Sequence, residues 1–353
     1  MFFIGIGTAT PPQGYTQSAC WEALKESGVL PQLEPRSQAI LRKVLGADNG
    51  IATRHLALDT LAEVFAQNPD ALQARFARHA PALATAAARK ALADAGCLAE
   101  EMDAVIISTC TGYLCPGLTS YVSEQLGLRP DVFALDLVGQ GCGAALPNLR
   151  TAESILTAGR ARKVLSICVE VCSAAFYLDN DPGVLISACL FGDGAGAAVL
   201  SSTPLAGRRA VHWQAAISAH APEQREFLRF RHQNGMLCNV LRPEVPQMAG
   251  LAAERLLAQF LAASGRARAD INGWVLHTGG RDVLLALGAH LGLAPAEVRH
   301  STSVLREYGN LSSPTVYFVL QRALQEPVPD GNWWMCAFGA GFSCHGALLE
   351  VKS

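Results

Sequence analysis

Short apolar runs alternate with stretches of helical periodicity from one end of this chain to the other, and that alternation constrains its fold more than any other feature. Phe2–Gly7, Met102–Thr109, Val132–Val138, Lys163–Val169 and Ala195–Ser202 read as strands. Met102–Thr109 is almost continuously apolar, as in a strand covered on both faces. Between them, several helices fit Ser18–Ala77. One helix fits Pro81–Ala95, closed by Gly96 as its C′ residue, and others fit Leu118–Leu126 and the stretch ending at Thr157. The rhythm then resumes. Val211–Ala219, Trp274–His277, Trp333–Phe338 and His345–Val351 read as strands, and Val245–Ala263, Arg281–His290 and Thr315–Leu324 as helices. Strands alternating with helices predict an α/β protein of right-handed βαβ units, with layered parallel sheets and helices on their faces. The pattern breaks at 203–209 (Thr-Pro-Leu-Ala-Gly-Arg-Arg). Two halves are therefore expected, 1–205 and 206–353, alike in rhythm and not in sequence.

The 353 residues suit two fused halves better than one core. Half are apolar and 16 % are charged, so the chain has ample material for a buried interior. The formal net charge is −2 and no block of Lys and Arg stands out, which argues against a nucleic-acid partner. The N-terminus has no basic, long-apolar signal pattern, and no apolar stretch reaches the roughly 18–20 residues of a membrane span. Eleven cysteines, an odd number scattered through apolar elements, fit reduced thiols in a cytoplasm better than a disulfide framework. Cys110/Cys115 and Cys168/Cys172 lack companions at zinc-site spacing, so no metal site is expected.

Cys142 carries the strongest chemical signal. It sits in Gly-Gln-Gly-Cys-Gly-Ala-Ala-Leu, directly between the apolar run Val132–Val138 and a helical stretch. A cysteine at a helix N-terminus faces unpaired N–H groups that favour its thiolate, so a lowered pKa is expected. Gly141 and Gly143 permit a tight turn with room for a carbonyl beside the backbone. His277 ends the apolar stretch Val-Leu-His-Thr-Gly-Gly, at the strand edge where open α/β sheets build sites. Asn310 stands in Glu-Tyr-Gly-Asn-Leu-Ser-Ser-Pro, where a loop meets a helix. Each has a structural explanation of its own: a buried thiol, a core imidazole, a turn amide.

Together, and in this order, the three resemble the Cys-His-Asn centre of the type III polyketide synthases, the chalcone synthase-like family of the thiolase superfamily. The resemblance runs along nearly the whole chain. It includes Ile-Gly-Thr-Ala at 6–9, Ser-Thr-Cys-Thr-Gly at 108–112, Pro116-Gly117, and Gly-Leu-Arg-Pro at 127–130. It continues through Leu-Phe-Gly-Asp-Gly at 190–194, His-Thr-Gly-Gly at 277–280, Tyr-Gly-Asn-Leu-Ser-Ser at 308–313 and Phe-Gly-Ala-Gly at 338–341. It implies a homodimer with a five-layered αβαβα fold and a buried site reached by a tunnel for the CoA arm. Cys142 would take an acyl starter from a CoA thioester, as a thiolate held by a nearby imidazolium. His277 and Asn310 would bind malonyl-CoA and stabilise the enolate left when CO2 departs. Repeated extension and cyclisation to a pyrone or phenol would follow, with no metal or redox cofactor.

The resemblance also places substrate-contacting residues. Phe191 matches the aromatic at the junction of tunnel and cavity. Cys238 matches a second gate position, and Ser312 and Gly339 match cavity-lining positions. Cys110, Thr111, Cys172 and Ala175 stand where plant enzymes carry Thr or Ser beside the starter; these less polar walls favour an apolar acyl chain over a coumaroyl group. For the CoA phosphates, Arg42, Lys43 and Arg54 lie in the expected segment, Arg54 aligning best, and Arg281 lies near the tunnel mouth. The lack of plant-type insertions and the short N-terminus point to a bacterial source.

Other readings use the same residue types. A β-ketoacyl synthase shares the fold and the three residues, but performs one condensation on a carrier protein. A thiolase would need a second active cysteine, for which Cys336 and Cys344 are the candidates. A cysteine hydrolase would carry its nucleophile near the mature N-terminus.

Overall fold

The computed structural model describes residues 1–65, 68–326 and 329–353. The chain begins with β1 (Phe2–Ala9), β2 (Gly14–Thr16), α1 (Gln17–Glu26), α2 (Pro35–Gly46) and β3 (Thr53–His55). Next come α3 (Pro69–Ala95), β4 (Ala104–Thr109), α4 (Leu118–Leu126), β5 (Phe133–Val138) and α5 (Ala145–Thr157). β6 (Lys163–Glu170), α6 (Pro182–Leu190), β7 (Gly194–Ser201), β8 (Ala210–His220), β9 (Leu228–Gln233) and β10 (Met236–Leu241) follow. The chain ends with α7 (Val245–Ser264), β11 (Ile271–Leu276), α8 (Arg281–Leu291), α9 (Arg299–Tyr308), α10 (Thr315–Gln325), β12 (Gly331–Gly339) and β13 (Ser343–Lys352). Within the Ser18–Ala77 stretch, positions 66 and 67 lie outside the described residues.

Nine strands form one ladder in the order β11-β12-β13-β8-β1-β7-β6-β4-β5. The junction between β1 and β8 is only two residue pairs wide, Phe2 with His212 and Phe3 with Val211. On either side the pattern is similar: parallel strands (β5-β4-β6; β11-β12), then antiparallel ones (β7, β1; β13, β8). The parallel expectation therefore holds only at the outer strands. β6 and β7 are joined through α6 and a return that brings β7 back antiparallel, which a strand–helix rhythm does not distinguish from a parallel crossover.

The core divides into layers. One face of β1, β4, β6 and β7 packs on α3 and α4 through Ile4, Val105, Ile107 and Leu165. The other face packs on α5 and α10, which also meet β11–β13 through Val275, Trp333, Met335 and Leu349. The far side of β11–β13 is covered by α7 and α8 through Trp274, Leu276 and Trp334. This is the five-layered αβαβα stack. The Ala-rich face of α3 is explained by close approach: a Cβ at Gly5 would lie 2.3 Å from Ala91 O, and one at Gly7 2.3 Å from Ala87 O. That burial carries α3 straight through Pro81, so the helix begins at Pro69 rather than at Pro81. Asn68 caps it by accepting from Asp70 N, and Gly96 closes it at φ +63°.

Candidate active site

Three chain reversals bring the site together. β5 ends at Val138, Gly139 and Gly141 turn with positive φ, and a 3-10 turn over Gly141–Gly143 presents Cys142 ahead of α5. The turn is packed against the end of β12. A Cβ at Gly141 would lie 2.8 Å from Ala340 N, and one at Gly143 3.1 Å from His345 Cδ2. α5 is pinned behind it by Asn148, whose amide donates to Ser108 Oγ, Ile106 O and Ile167 O. His277 follows β11, its N–H donating to Cys336 O. Asn310 follows α9 through Gly309 and forms a bridge with Phe191.

Cys142, His277, Asn310 and Phe191 line one cavity of about 840 Å³, whose outer part is bordered by Arg36, Lys43, Arg231, Arg242 and Arg281. Asn310 donates one amide hydrogen to Gly279 O (3.2 Å), and its Oδ1 accepts from Ser312 N (2.9 Å). That leaves the second amide hydrogen for the cavity. His277 is buried against Phe338, at 5.0 Å between ring centroids, and neither ring nitrogen has a protein partner. Phe191 also borders a small inner chamber of about 40 Å³, with Cys142, Cys110, Thr111, Cys172, Ala175 and Ser312 on its wall. Phe176, Ser187, Leu228, Arg229, Phe230, Asn239 and Ala340 also border it and were not evident from the sequence.

The electrostatics differ from the expected imidazolium–thiolate pair. Burial pushes the Cys142 thiol up to about 12, against a partly offsetting hydrogen bond from Ser312 Oγ (3.2 Å). Burial pushes His277 down to about 3. Each group is desolvated and no hydrogen bond joins them, so the pair is held as a thiol and a neutral imidazole. The start of α5 does not overcome that penalty. Glu170, at the end of β6, is a further buried group. Its carboxylate accepts from Cys110 N, Thr111 Oγ1 and Ser313 Oγ, with Ser312 Oγ at 3.4 Å. Burial raises its pKa, and the donors pull it back. A charge closing an apolar strand was the sequence signal for it.

Three placements are corrected. Arg54 is not at the cavity mouth. It is buried, donating to Gln17 Oε1, Ala188 O, Phe191 O and Cys20 Sγ, so its guanidinium is spent holding the end of α6. Lys43 takes the mouth position instead, and Arg281 is there as expected. Cys238 borders neither cavity. It faces Tyr177 and Val184, while its neighbour Asn239 points into the inner chamber, as strand alternation requires. Gly339 borders neither cavity either: its α-carbon backs onto the Cys142 turn, 2.5 Å from Gln140 O to a built Cβ.

Comparison with known proteins fits this geometry. Residues 2–204 match the family described as chalcone and stilbene synthases, N-terminal domain, and residues 213–351 match its C-terminal domain. The chain belongs to this family of type III polyketide synthases. The 3,5-dihydroxyphenylacetyl-CoA synthase of Amycolatopsis balhimycina is 30% identical over 99% of this chain and 92% of its own length. The 1,3,6,8-tetrahydroxynaphthalene synthase of Streptomyces peucetius subsp. caesius is 32% identical over 98% of this chain and 92% of its own. Among solved structures, PKS-I of the brown alga Ectocarpus siliculosus superposes with a TM-score of 0.88 at 26% identity, covering 99% of this chain and 97% of that one. The protein is an acyltransferase on CoA thioesters that condenses malonyl-CoA iteratively and cyclises the product, in a family that needs no additional cofactor.

Proposed function

We propose that Cys142 is the acyl carrier and that His277 and Asn310 drive decarboxylation. The Cys142 sulfur bonds to the starter's carbonyl carbon, the bond to CoA sulfur breaks, and the thiol proton leaves with CoA. Malonyl-CoA then docks its thioester oxygen on the Asn310 amide and a His277 ring N–H. The C–C bond to its carboxylate breaks, CO2 departs, and the electron pair becomes an enolate held by those two donors. The enolate carbon attacks the acyl-Cys142 carbonyl, and Cys142 leaves as the chain, two carbons longer, passes to CoA. A neutral His277 suits this role, because its ring N–H donates without the group having to be charged in an apolar site. The carrying observation is convergence: three residues from distant segments line the same 840 Å³ cavity, and the His277 nitrogens are left without protein partners.

Lys43 and Arg281, with Arg36, Arg231 and Arg242, are the cations in place for CoA phosphates. We read residues 1–205 and 206–353 as the two halves, the first giving the nucleophile and the second the donors. A homodimer is supported by β5, an edge strand with Phe133 and Val138 more than half exposed. Cytoplasmic residence is supported by eleven free cysteines; no described helix is long and apolar enough to cross a membrane. Two variants test the catalytic assignment. Cys142→Ala is expected to yield no polyketide by mass spectrometry, and Cys142→Gln, which imitates the acylated thiol, to keep releasing CO2 from malonyl-CoA. Absence of CO2 from wild type and Cys142→Gln alike would refute the roles of His277 and Asn310.

A further inference from the structure

We infer that Glu170 draws the proton from the Cys142 thiol through the hydroxyl of Ser312, and that this relay, rather than His277, frees the sulfur for acylation. The relay deepens the synthase reading above and rests on it. Glu170 ends β6, fully buried, and neither decarboxylation nor condensation calls on it. Ser312 Oγ lies 3.2 Å from Cys142 Sγ and 3.4 Å from Glu170 Oε1. Its single hydrogen can serve either acceptor, and when turned to Glu170 it leaves a lone pair for the Cys142 S–H. Both ring nitrogens of His277, by contrast, are without protein partners. Ser312 is aimed by its backbone. It stands at φ +60°, uncommon for a residue other than glycine, with its N–H donating to Asn310 Oδ1 and its carbonyl accepting from Thr315 Oγ1.

The surroundings of Glu170 suit a base. Its Oε2 accepts from Thr109 Oγ1, Cys110 N and Thr111 Oγ1, and its Oε1 from Cys110 Sγ, Ser312 Oγ and Ser313 Oγ. Thr111 Oγ1 itself accepts from Val171 N, so its hydrogen is committed to the carboxylate. These donors favour the ionised form, while burial raises its affinity for a proton. The titratable groups facing it are the thiols of Cys110, Cys142, Cys168 and Cys172. None of its hydrogen-bond partners among the described residues is a cation. A second anion created there would be unscreened, and burial accordingly holds the Cys142 thiol at about 12. The relay creates none, because one negative charge passes from Glu170 to Cys142. The thiol proton moves to Ser312 Oγ as the Ser312 proton moves to Glu170 Oε1. The Cys142 sulfur bonds to the starter's carbonyl carbon and the bond to CoA sulfur breaks. The departing sulfur takes the proton from Glu170 through Ser312, which restores the carboxylate.

The test is alkylation of Cys142 by iodoacetamide between about pH 6 and pH 9, read at that residue by peptide mass spectrometry. Iodoacetamide reports the freed sulfur whatever the natural starter is. Wild type is expected to react at a nearly constant rate, because transfer to an ionised Glu170 takes up no proton from solvent. In Glu170→Gln and Ser312→Ala the rate should climb about tenfold per pH unit, as for a thiol titrating far above the range, and at pH 7 lie at least roughly 10²-fold below wild type, the contribution of a positioned base. Circular dichroism shows which variants are folded. Ser312→Ala leaves the other donors to Glu170 in place and decides the matter alone if Glu170→Gln does not fold. A rate that is lowered but still flat in the variants would mean a structural role and overturn the relay, as would a wild-type rate that itself climbs with pH. A flat profile in both variants that is lost in His277→Gln would assign the proton to the imidazole instead. CO2 release from malonyl-CoA by wild type judges the synthase reading separately: its presence leaves that reading standing if the relay fails, and its absence overturns both.

Discussion

Gly339→Ala separates two roles for one residue, and its outcome can be worked out from the packing. Gly339 has an ordinary negative-φ backbone, so alanine costs nothing in conformation there. The cost is contact. The new methyl would lie 2.5 Å from Gln140 O and 2.7 Å from Gly143 N, nearly 1 Å short of the 3.4 Å of ordinary contact. Both opposing atoms are backbone of the turn that carries Cys142, so the turn itself must retreat. Overpacking of this kind costs about 1–3 kcal/mol. In a chain of 353 residues that lowers Tm by about 1–4 °C. The larger effect is kinetic: moving a reacting atom by close to 1 Å costs on the order of 10²-fold in rate. The assay is Cys142 acylation, followed by intact-protein mass spectrometry with several acyl-CoAs, beside a thermal melt. The rate should fall by a similar factor for every acyl group, because Cys142 has moved while Cys110, Thr111, Cys172 and Ala175, on other segments of the chamber wall, have not. Wild-type acylation with an altered preference among starters would refute this and return Gly339 to the chamber lining.

Two other predictions follow from the corrected placements. Arg54→Ala should lower stability by about 1–3 kcal/mol for each acceptor left without a donor, with little change in the KM for malonyl-CoA. Lys43→Ala with Arg281→Ala should raise that KM several-fold and flatten its salt dependence with little change in Tm, because neither holds a buried network; steady-state kinetics at two ionic strengths, beside melts of all variants, decide between them. The pH dependence follows from His277, which burial holds at about 3 against an ordinary 6.5. A histidine depressed in the folded state stabilises the fold above its unfolded pKa, and that stability is lost as pH falls through the folded value. Urea melts should therefore show His277→Gln losing less stability than wild type between pH 6.5 and pH 3. CO2 release should show no acid limb near pH 6.5 from this residue.

The sequence carried the three proposed catalytic residues further than their surroundings, for a physical reason. Cys142, His277 and Asn310 each sit near a strand or helix end with a glycine within two residues, and such positions leave a local mark in residue type. The succession of strands and helices was legible in the same way, because alternation of apolar runs and helical periodicity is a local property; the five layers were implied by the family resemblance. What failed depended on side-chain direction or on partners far along the chain. Cys238 and Asn239 are adjacent in sequence and point to opposite sides of β10, so a displacement of one residue exchanges core for chamber. Arg54 and Lys43 are both cations of one segment. Only the fold shows that Arg54 has Gln17, Ala188 and Phe191 around it, while Lys43 is left at the cavity mouth. The lowered thiol pKa expected at a helix start was a balance of two terms, and the sequence displays only one of them. The favourable helix terminus is local, whereas the burial that outweighs it at Cys142 is built by Ala340, Phe191 and Ser312, from three other segments. The inner chamber is the extreme case. The β9–β10 hairpin brings Phe230 and Asn239 to it, and neither carries any sign in the sequence that it borders the same chamber as Cys142.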